Sequence, residues 1–489
     1  EEYKKHLEDD TYKSKDIEIF KNKDSKFEIT GDRNINTNEF FFVEEENNSI
    51  TFTKNYDSKS YIKYTYSLQE NDSYFIDFRL ESEGISNPEL IWTIAAPETE
   101  KSKTNQEQYT GFYYQEDYSK DVDYTWDNDK YEINEFNTEI NWIAFKQQFF
   151  STIIRAENNN FNNGTEFKVI NDDKDEYVKV MSLRSQLEDG KSNYSIFFGP
   201  NDYNDLKSYD KGYENILPLG FMWIDTVVNK YIIIKLFDFL KNSAGLLNFG
   251  IIILVLTLII KFSLAPFTYK SYLSQAKMKV LKPEVDKINE KHKEKDPLKA
   301  QQESMNLYRK AGVNPMGGCL PMLFQFPILI AMFRFFPASI DLRQNAFLWA
   351  DDLSAYDSIY NLGFEIPFYG SHISLFTLLM CISTLMYTHM NSQMSGNQMP
   401  GMKFMMYLMP VMFLGFFNNY ASALSYYYFL ANIFTFCQMF IMRKLVDEKA
   451  ILAQLEANKK KPRKKSRFQK KLEELQRKQE QQLKNRKRK

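Results

Sequence analysis

Lys261 is the residue whose position in this 489-residue sequence most strongly suggests a function. It is the sixteenth residue of a 22-residue apolar stretch, Leu246–Phe267, and its only charged one. A charge within a membrane is costly and usually faces a protein interior or water. Thr257 lies one helical turn earlier on the same face. The pair predicts a polar surface inside a membrane protein, although a lysine stem can also carry its ammonium group out to the lipid headgroups.

Polar residues in other apolar stretches can line the same surface. Ser425, Tyr428 and Asn432 follow one another at spacings of three and four, which places them on one face of a helix. Such residues can instead form hydrogen bonds between helices. We predict a hydrophilic groove lined by Lys261, Thr257, Gln325, Ser425, Tyr428 and Asn432.

Methionines are concentrated in one part of the sequence, where nine of the 19 lie between Met386 and Met412. The unbranched, polarizable methionine side chain adapts to many apolar shapes. The cluster therefore predicts a surface that contacts varied hydrophobic segments, with generic filling of membrane helices as the alternative. The methionines that we predict to contact a substrate are Met402, Met405, Met406, Met409 and Met412.

The C-terminal segment is strongly basic. Arg443–Lys489 holds 19 Lys and Arg residues against 6 Asp and Glu residues. Such a charge binds the phosphates of RNA, and it also binds anionic lipid. We predict contact with ribosomal RNA, with lipid as the alternative, for the basic cluster of Lys459, Lys460, Lys461, Arg463, Lys464 and Lys465.

Residues suited to catalysis are scarce. The four histidines are scattered at positions 6, 292, 372 and 389, and the three cysteines lie in apolar segments. Metal sites and catalytic triads require such residues in sets. The glycine-rich motifs of nucleotide-binding proteins and the serine motif of hydrolases do not occur in the sequence. We predict a protein that is not an enzyme and has no catalytic residue, metal or cofactor.

Five apolar segments predict an all-α, polytopic membrane core: Leu246–Phe267, Cys319–Ala338, Ile373–Met390, Met402–Phe417 and Ala423–Met442. Met402–Phe417 is short, so a re-entrant loop is the alternative there. Lys261–Lys310 has a net charge of +6 and the C-terminal segment has +13, and positive segments favour the cytoplasm. Both lie on that side if four crossings separate them. The sequence therefore predicts five transmembrane helices.

Residues 1–215 predict an antiparallel β-sandwich outside the cytoplasm. This region is acidic, and apolar and polar residues alternate in short segments bounded by Asn, Asp and Gly. The predicted strands are Glu39–Glu44, Ser49–Lys54, Tyr61–Leu68, Ser73–Leu80, Thr165–Ile170, Tyr177–Leu183 and Asn193–Phe198.

Two amphipathic segments complete a multidomain organisation. Gly220–Lys241 mixes charges with large apolar residues and predicts a helix in the membrane interface. Met278, Leu281 and Val285 repeat at helical spacing, and Pro297 marks the start of a second helix in a cytoplasmic hairpin. The predicted limits are 1–215 for the sandwich, 216–245 for the interfacial helix, 246–267 for the first crossing, 268–312 for the hairpin, 313–442 for four crossings and 443–489 for the basic tail.

Several segments of the chain resemble the YidC family of membrane protein insertases, part of the Oxa superfamily. In the helical region they are LAPFTYKSYLSQAKMKVLKPEV (264–285), GVNPMGGCLP (312–321), FLWADDLSAYD (347–357), FMMYLMPVMF (404–413) and ASALSYYYFLANIFTFCQ (421–438). WIAFKQQFFSTII (142–154) and IFFGP (196–200) are similar to the large periplasmic domain of the Gram-negative form. That form has an additional N-terminal crossing, and the sequence begins without Met, so we expect a segment before Glu1.

The resemblance implies an insertase and chaperone that moves hydrophobic segments of nascent proteins from the cytoplasm into the bacterial inner membrane. It implies a hydrophilic groove open to the cytoplasm and to lipid, a periplasmic N-terminal domain and a cytoplasmic tail. The implied partners are nascent membrane proteins, the Sec translocon, the ribosome and membrane lipids. The family usually has an arginine at the position of Lys261, and a lysine cannot bind a carboxylate with a bidentate fork.

Two other functions compete with this interpretation. A small-solute transporter or channel predicts paired charges within the membrane and internal repeats, and the sequence shows neither. A sugar-binding receptor is an alternative for the outer domain, because the family's outer domain resembles sugar-processing sandwiches.

Overall fold

The computed structural model describes residues 18–19, 24–31, 41–69, 74–119, 121–125, 133–135, 138–157, 161, 164–170, 177–187, 190–243, 245, 248–292, 297–314, 317–318, 320–394 and 402–460. The chain divides into two compact units. The first comprises Glu1–Lys261, Phe324–Leu385 and Tyr407–Phe434. The second comprises Phe262–Leu323, Met386–Met406 and Thr435–Lys489.

Two antiparallel sheets, of five and nine strands, occupy the N-terminal part of the first unit. Their strands are β1 Lys26–Thr30, β2 Phe42–Glu46, β3 Ser49–Asp57, β4 Ser60–Leu68, β5 Phe75–Glu83, β6 Glu89–Ala96, β7 Gly111–Glu116, β8 Asp123–Thr125, β9 Ile133–Glu135, β10 Ile140–Lys146, β11 Phe150–Ala156, β12 Glu166–Ile170, β13 Lys179–Gln186 and β14 Lys191–Pro200. The strand orders are β1-β6-β13-β12-β9 and β2-β3-β4-β5-β14-β11-β10-β7-β8.

The two sheets share one hydrophobic core. Phe112 on β7 stacks on Phe167 on β12 with ring centroids 4.6 Å apart. Trp92 on β6 contacts Phe145 on β10 at 5.3 Å. All four rings are buried in a single cluster that draws residues from both sheets. This packing confirms the predicted β-rich domain with sandwich-like sheets.

The sequence predicted seven of the fourteen strands described in these two sheets and missed the other seven, β1 and β6 to β11. All seven predicted segments overlap observed strands, and β4 and β13 show alternating burial. By contrast, most residues of β10 and β11 are buried. Their sequences therefore lack the alternation of apolar and polar residues that indicates a strand. A continuous apolar run of this length does not distinguish a strand from a helix.

Helices form most of the remaining described chain. Two short segments, Asn229–Ile233 and Phe239–Ser243, form π-helical turns. A two-stranded sheet, β15 Tyr360–Ile366 with β16 Gly370–Ile373, precedes α8. The helices are α1 Lys103–Tyr109, α2 Tyr203–Ser208, α3 Trp223–Val228, α4 Ile234–Asp238, α5 Phe249–His292, α6 Pro297–Ala311, α7 Leu320–Ala338, α8 Leu375–Met394, α9 Met402–Asn418, α10 Ser422–Leu445 and α11 Glu448–Lys460.

The first predicted crossing and the first arm of the predicted hairpin form a single helix. The sequence predicts a change of element at residues 267 and 268, but α5 continues without a break for 44 residues. Pro266 and Pro283 lie inside it. The predicted second arm begins at Pro297, as the sequence indicates. The predicted membrane boundary near residue 267 therefore lies within a continuous helix, and it stays a prediction.

The other predicted apolar segments are also helical. Among the described residues, α5 and α10 are long and apolar enough to cross a membrane, and α7 and α9 contain shorter apolar helices. Helix α8 covers the predicted segment Ile373–Met390 from Leu375 onward, while Ile373 itself is the last residue of β16. The helical C-terminal region is thus confirmed, while the count of five crossings stays a prediction.

The segment predicted to lie in the membrane interface places apolar side chains on its outer face. Asp225, Asn229 and Phe237 are buried within the first unit. The opposite face exposes Trp223 by 76% and Tyr231 by 61%. Exposed aromatic residues are typical of helices at a membrane surface.

A buried ion pair connects the β-domain to the loop after α7. The Nε of Arg343 donates to the two carboxylate oxygens of Glu100 at 3.1 and 2.9 Å. Burial raises the pKa of Glu100, while the Arg343 guanidinium opposes that shift. Nearby, Asn105 donates to the carbonyl of Asn419, and Gln148 donates to the carbonyl of Pro337, both at 2.9 Å. These contacts lie within the first unit and tie the sandwich to the chain around α7, α9 and α10.

The second unit contains the helical hairpin and the start of the tail. Met278, Leu281 and Val285 on α5 are buried in one apolar cluster, which confirms the predicted face. Ile451 and Leu455 on α11 belong to the same cluster. The first part of the predicted basic tail is therefore a helix with an apolar face in a hydrophobic core.

Replacing Arg343 alone should destabilise the first unit strongly. Arg343→Met leaves the Glu100 carboxylate buried without its counter-ion, which costs about 3–5 kcal/mol in free energy of unfolding. The double variant Arg343→Met, Glu100→Met should recover much of that loss. Thermal unfolding of the purified chain measures both effects.

Arg184→Met is the matched control, because Arg184 pairs with Glu89 at 3.3 Å on an exposed part of the sandwich. That pair should contribute about 1 kcal/mol or less. Equal losses of stability in Arg343→Met and Arg184→Met would contradict a structural role for the buried pair.

Candidate functional site

Lys261 lies inside the protein rather than on its surface. It is roughly 18 Å along the axis of α5 from Phe249 at the usual helical rise, and it is 8% exposed. Thr257 on the same face is fully buried, and its hydroxyl donates to the carbonyl of Ile253 at 2.6 Å. An apolar helix thus presents a cation and a hydroxyl to protein surroundings, as the sequence predicts for a bundle interior.

Ser425 connects α10 to α8. Its buried hydroxyl shares a 2.9 Å hydrogen bond with the hydroxyl of Thr377. Thr377 also donates to the carbonyl of Phe417 near the end of α9. A hydroxyl pair of this kind holds neighbouring helices together in an apolar region.

Asn432 makes a second connection to α8, two turns further along α10. Its side-chain amide donates to the hydroxyls of Ser383 at 3.0 Å and Thr384 at 2.9 Å. The hydrogen bonds of Ser425 and Asn432 therefore run to α8 and not to another predicted groove residue. Both residues fit the interhelical alternative, and their role in a groove stays a prediction.

Gln325 and Tyr428 are half-buried. The Tyr428 ring contacts Phe417 at 6.0 Å and Tyr427 at 5.7 Å between centroids. All six predicted residues belong to the first unit. The contacts bring Tyr428 to the end of α9 and Ser425 and Asn432 to α8.

The polar residues of α8 are the part of this region that the sequence analysis missed. Thr377 and Thr384 are seven residues apart, so they lie on one face of α8, and Ser383 is adjacent. The same spacing argument that selected Ser425 and Asn432 would have found them. They supply the partners of both residues.

The methionines of α9 form an exposed face. Met405, Met409 and Met412 follow at spacings of four and three and are 55%, 52% and 63% exposed. Met406 is half-buried, and the side chain of Met402 lies outside the described residues. Because this face points away from the protein, it is available to lipid or to a hydrophobic segment.

Only the start of the predicted basic cluster falls within the described chain. Lys459 lies in α11, and its Nζ forms an ion pair with Glu284 of α5 at 2.5 Å. Lys459 is therefore paired within the second unit, and its contact with RNA stays a prediction. Outside the described residues are the side chain of Lys460 and all of Lys461, Arg463, Lys464 and Lys465.

Comparison with known proteins gives one consistent result. Residues 239–450 match the family model of the 60Kd inner membrane protein, and residues 9–233 match that of the YidC periplasmic domain. The membrane protein insertase YidC of Parabacteroides distasonis is 40% identical, over 98% of this chain and 80% of the relative. The corresponding protein of Bacteroides fragilis is 40% identical over 92% and 76%, and that of Porphyromonas gingivalis is 38% identical over 96% and 80%.

Replacing Asn432 should loosen the contact between α8 and α10. Asn432→Leu removes both donors to Ser383 and Thr384, and hydrogen bonds between membrane helices contribute about 0.5–1.5 kcal/mol. We expect a lower melting temperature in detergent. Ile433→Leu, at the next and partly exposed position of α10, is the control and should melt as the unaltered chain does. Unchanged stability of Asn432→Leu would mean that the amide is not needed for helix packing.

Proposed function

Because this chain belongs to the YidC family of membrane protein insertases, we propose that it moves hydrophobic segments of nascent proteins into the inner membrane through a polar groove around Lys261. The observation that carries this proposal is the burial of a lysine, 8% exposed, within an apolar helix. A charge near the middle of a bilayer costs about 2.5–3.5 kcal/mol on insertion scales. Keeping it there is useful if the groove is hydrated and an anionic group visits it.

The visiting group in this mechanism is the acidic or polar outer tail of a substrate. Lys261 attracts this tail part-way across the membrane. Meanwhile the apolar segment of the substrate moves past the exposed methionines of α9 into lipid. A lysine provides charge without a guanidinium fork, so attraction here depends on charge and hydration more than on bidentate geometry. Thr257, Gln325, Ser425, Tyr428 and Asn432 provide the remaining polar lining.

The proposed topology has five crossings, formed by α5, α7, α8, α9 and α10. The hairpin arm of α5 with α6, and the basic tail, lie in the cytoplasm because both carry excess positive charge. The β-sandwich and the loop between α7 and α8 then lie in the periplasm. The helical segment from α3 to Ser243 lies in the outer interface, which its exposed Trp223 and Tyr231 support.

The proposed partners follow from the insertase activity. Nascent membrane proteins are the substrates, and the chain acts alone or beside the Sec translocon. The tail after Lys460 binds ribosomal RNA or anionic lipid through charge. No observation on the described residues favours the alternative of a small-solute transporter or channel.

Lys261 should be required as a charge. Lys261→Ala should slow insertion of a single-span substrate with an acidic outer tail by about tenfold, the equivalent of about 1.4 kcal/mol. Lys261→Arg should retain activity, because it keeps the charge. The measurement is insertion into liposomes that contain the purified protein.

Lys270→Ala provides a matched control, since Lys270 is an exposed lysine on the same helix. A substrate with a neutral tail provides the second control and should be affected less. Normal insertion of acidic-tailed substrates by Lys261→Ala would contradict the proposed attraction. It would favour the alternative in which the ammonium group of Lys261 extends to the lipid headgroups.

Charge after Lys460 should control ribosome binding. Replacing Lys461, Arg463, Lys464 and Lys465 with glutamine should weaken co-sedimentation with ribosomes and flatten its dependence on salt. Exchanging Lys and Arg at the same four positions should preserve both. If the glutamine variant sedimented with ribosomes as the unaltered chain does, this cluster would not be the ribosome contact.

A further inference from the structure

A cavity of about 460 Å³ lies within the first unit, and the predicted groove residues do not line it. The β-domain contributes Glu107 and Tyr109 of α1 and Lys179 of β13 to its wall. The helical region contributes Arg334 of α7 and Tyr420 from the turn between α9 and α10. The cavity therefore combines two cations, one carboxylate and aromatic side chains.

Arg334 is the first sign that the cavity takes a ligand. The carbon at the centre of its guanidinium group lies 3.6 Å from the centroid of the Phe221 ring, so the ring fixes the position of the charge. Its Nε is buried and has no hydrogen-bond partner within the described residues. An unsatisfied buried donor costs free energy. Protein atoms cover the Nε itself, so a phosphate in the cavity would bind the other donors of this half-buried guanidinium group, and guanidinium groups bind phosphates well.

Positive charge extends from this wall into the β-domain. The Nζ of Lys179 donates to the carbonyl of Thr110 at 2.8 Å, and burial lowers the pKa of Lys179 while the charge of Glu107 opposes that shift. Behind it, Lys146 is fully buried, and its pKa is lowered to about 7 by burial and by the charges of Lys179 and Arg334. The charges of Lys179 and Arg334 thus act on the same region.

The remaining wall is apolar and aromatic. Phe333 stacks on Tyr420 with centroids 4.7 Å apart. The hydroxyls of Tyr420 and Tyr109 share a hydrogen bond of 3.1 Å. A ligand that fits here needs an apolar portion beside its charged portion.

The position along the chain suggests where that apolar portion goes. Arg334 is roughly 6 Å from the C-terminal end of α7 at the usual helical rise. Phe221 precedes the interfacial segment that exposes Trp223. If α7 crosses as the proposed function requires, both lie at the level of the outer headgroups, where aromatic residues are enriched.

We propose that this cavity binds the headgroup of a phospholipid that carries both a phosphate and a primary ammonium group, as phosphatidylethanolamine does. Arg334 and Lys179 bind the phosphate, and Glu107 binds the ammonium. The aromatic wall contacts the start of the acyl chains. The inference rests on the proposed crossing of α7 but not on the groove around Lys261.

Native mass spectrometry of the full chain in detergent, titrated with defined lipids, tests the site. The unaltered chain should retain one molecule of phosphatidylethanolamine in preference to phosphatidylglycerol. Arg334→Gln and Lys179→Gln should each weaken that retention by about tenfold, the size expected for a lost charge-assisted hydrogen bond. Arg184→Gln, an exposed cation on the same strand as Lys179, should leave retention unchanged.

Glu107→Gln tests binding of the ammonium group separately from binding of the phosphate. It should abolish the preference for phosphatidylethanolamine while phosphatidylglycerol still binds. A preference for phosphatidylglycerol in the unaltered chain would contradict the role of Glu107. Retention by both Arg334→Gln and Lys179→Gln equal to that of the unaltered chain would overturn the site.

Soluble glycerophosphoethanolamine distinguishes a lipid site from a site for free phosphate compounds. It should fail to displace the lipid at equal concentration, because it lacks the acyl chains. Displacement at that concentration would overturn the lipid assignment. Insertion by Lys261→Ala, measured separately, tests the groove, and that variant should retain phosphatidylethanolamine as the unaltered chain does.

Discussion

Polar groups that are buried away from water need hydrogen-bond or charge partners inside the protein. This constraint acts on both the β-domain and the helices of the first unit. In the β-domain it produces the pair of Glu100 and Arg343, in which a carboxylate from the sandwich meets a guanidinium from the helical region. Between the helices it produces the hydroxyl and amide contacts of Ser425 and Asn432 with α8. Lys261 is subject to the same constraint, because it is a cation only 8% exposed within an apolar helix.

Strands were predictable where one-sided burial appears in the sequence as alternating apolar and polar residues. Burial also alternates along much of β6, but this strand was missed because the apolar Ile91 occupies one of its half-buried positions. Strands such as β4 alternate between buried and half-exposed residues, and that alternation is visible in the sequence. Strands β10 and β11 escaped prediction because both of their faces are covered. The end of a helix was equally hard to place at α5, because its composition changes from apolar to charged near residue 267 while the backbone hydrogen bonds continue. A change in composition shows that the surroundings of a helix change. It does not show that the helix ends, unless a capping residue or a helix breaker is present at that point.

For the candidate site, spacing predicted which residues share a helix face but not which residues they contact, and their role in a groove stays a prediction. Spacing along α10 placed Ser425 and Asn432 on one face, and both do point toward another helix. Which helix they meet depends on tertiary packing, so the hydroxyls of α8 could not be assigned as partners from spacing alone. Lys459 illustrates the same limit, because its charge suggested a free basic surface and its ion pair with Glu284 depends on how α11 packs against α5.

The ion pair of Glu100 and Arg343 also has a consequence for the order of events during biosynthesis. Its two residues are 243 positions apart in the chain. At the usual rates of bacterial translation, roughly 10–50 s separate the synthesis of the carboxylate from that of the guanidinium. During that interval the sandwich must keep the Glu100 region hydrated or protonated, since an unpaired carboxylate is not stably buried. The sandwich therefore completes the packing around Glu100 only after Arg343 has been synthesised, so the last step in the folding of this N-terminal domain depends on a residue of the C-terminal half of the chain.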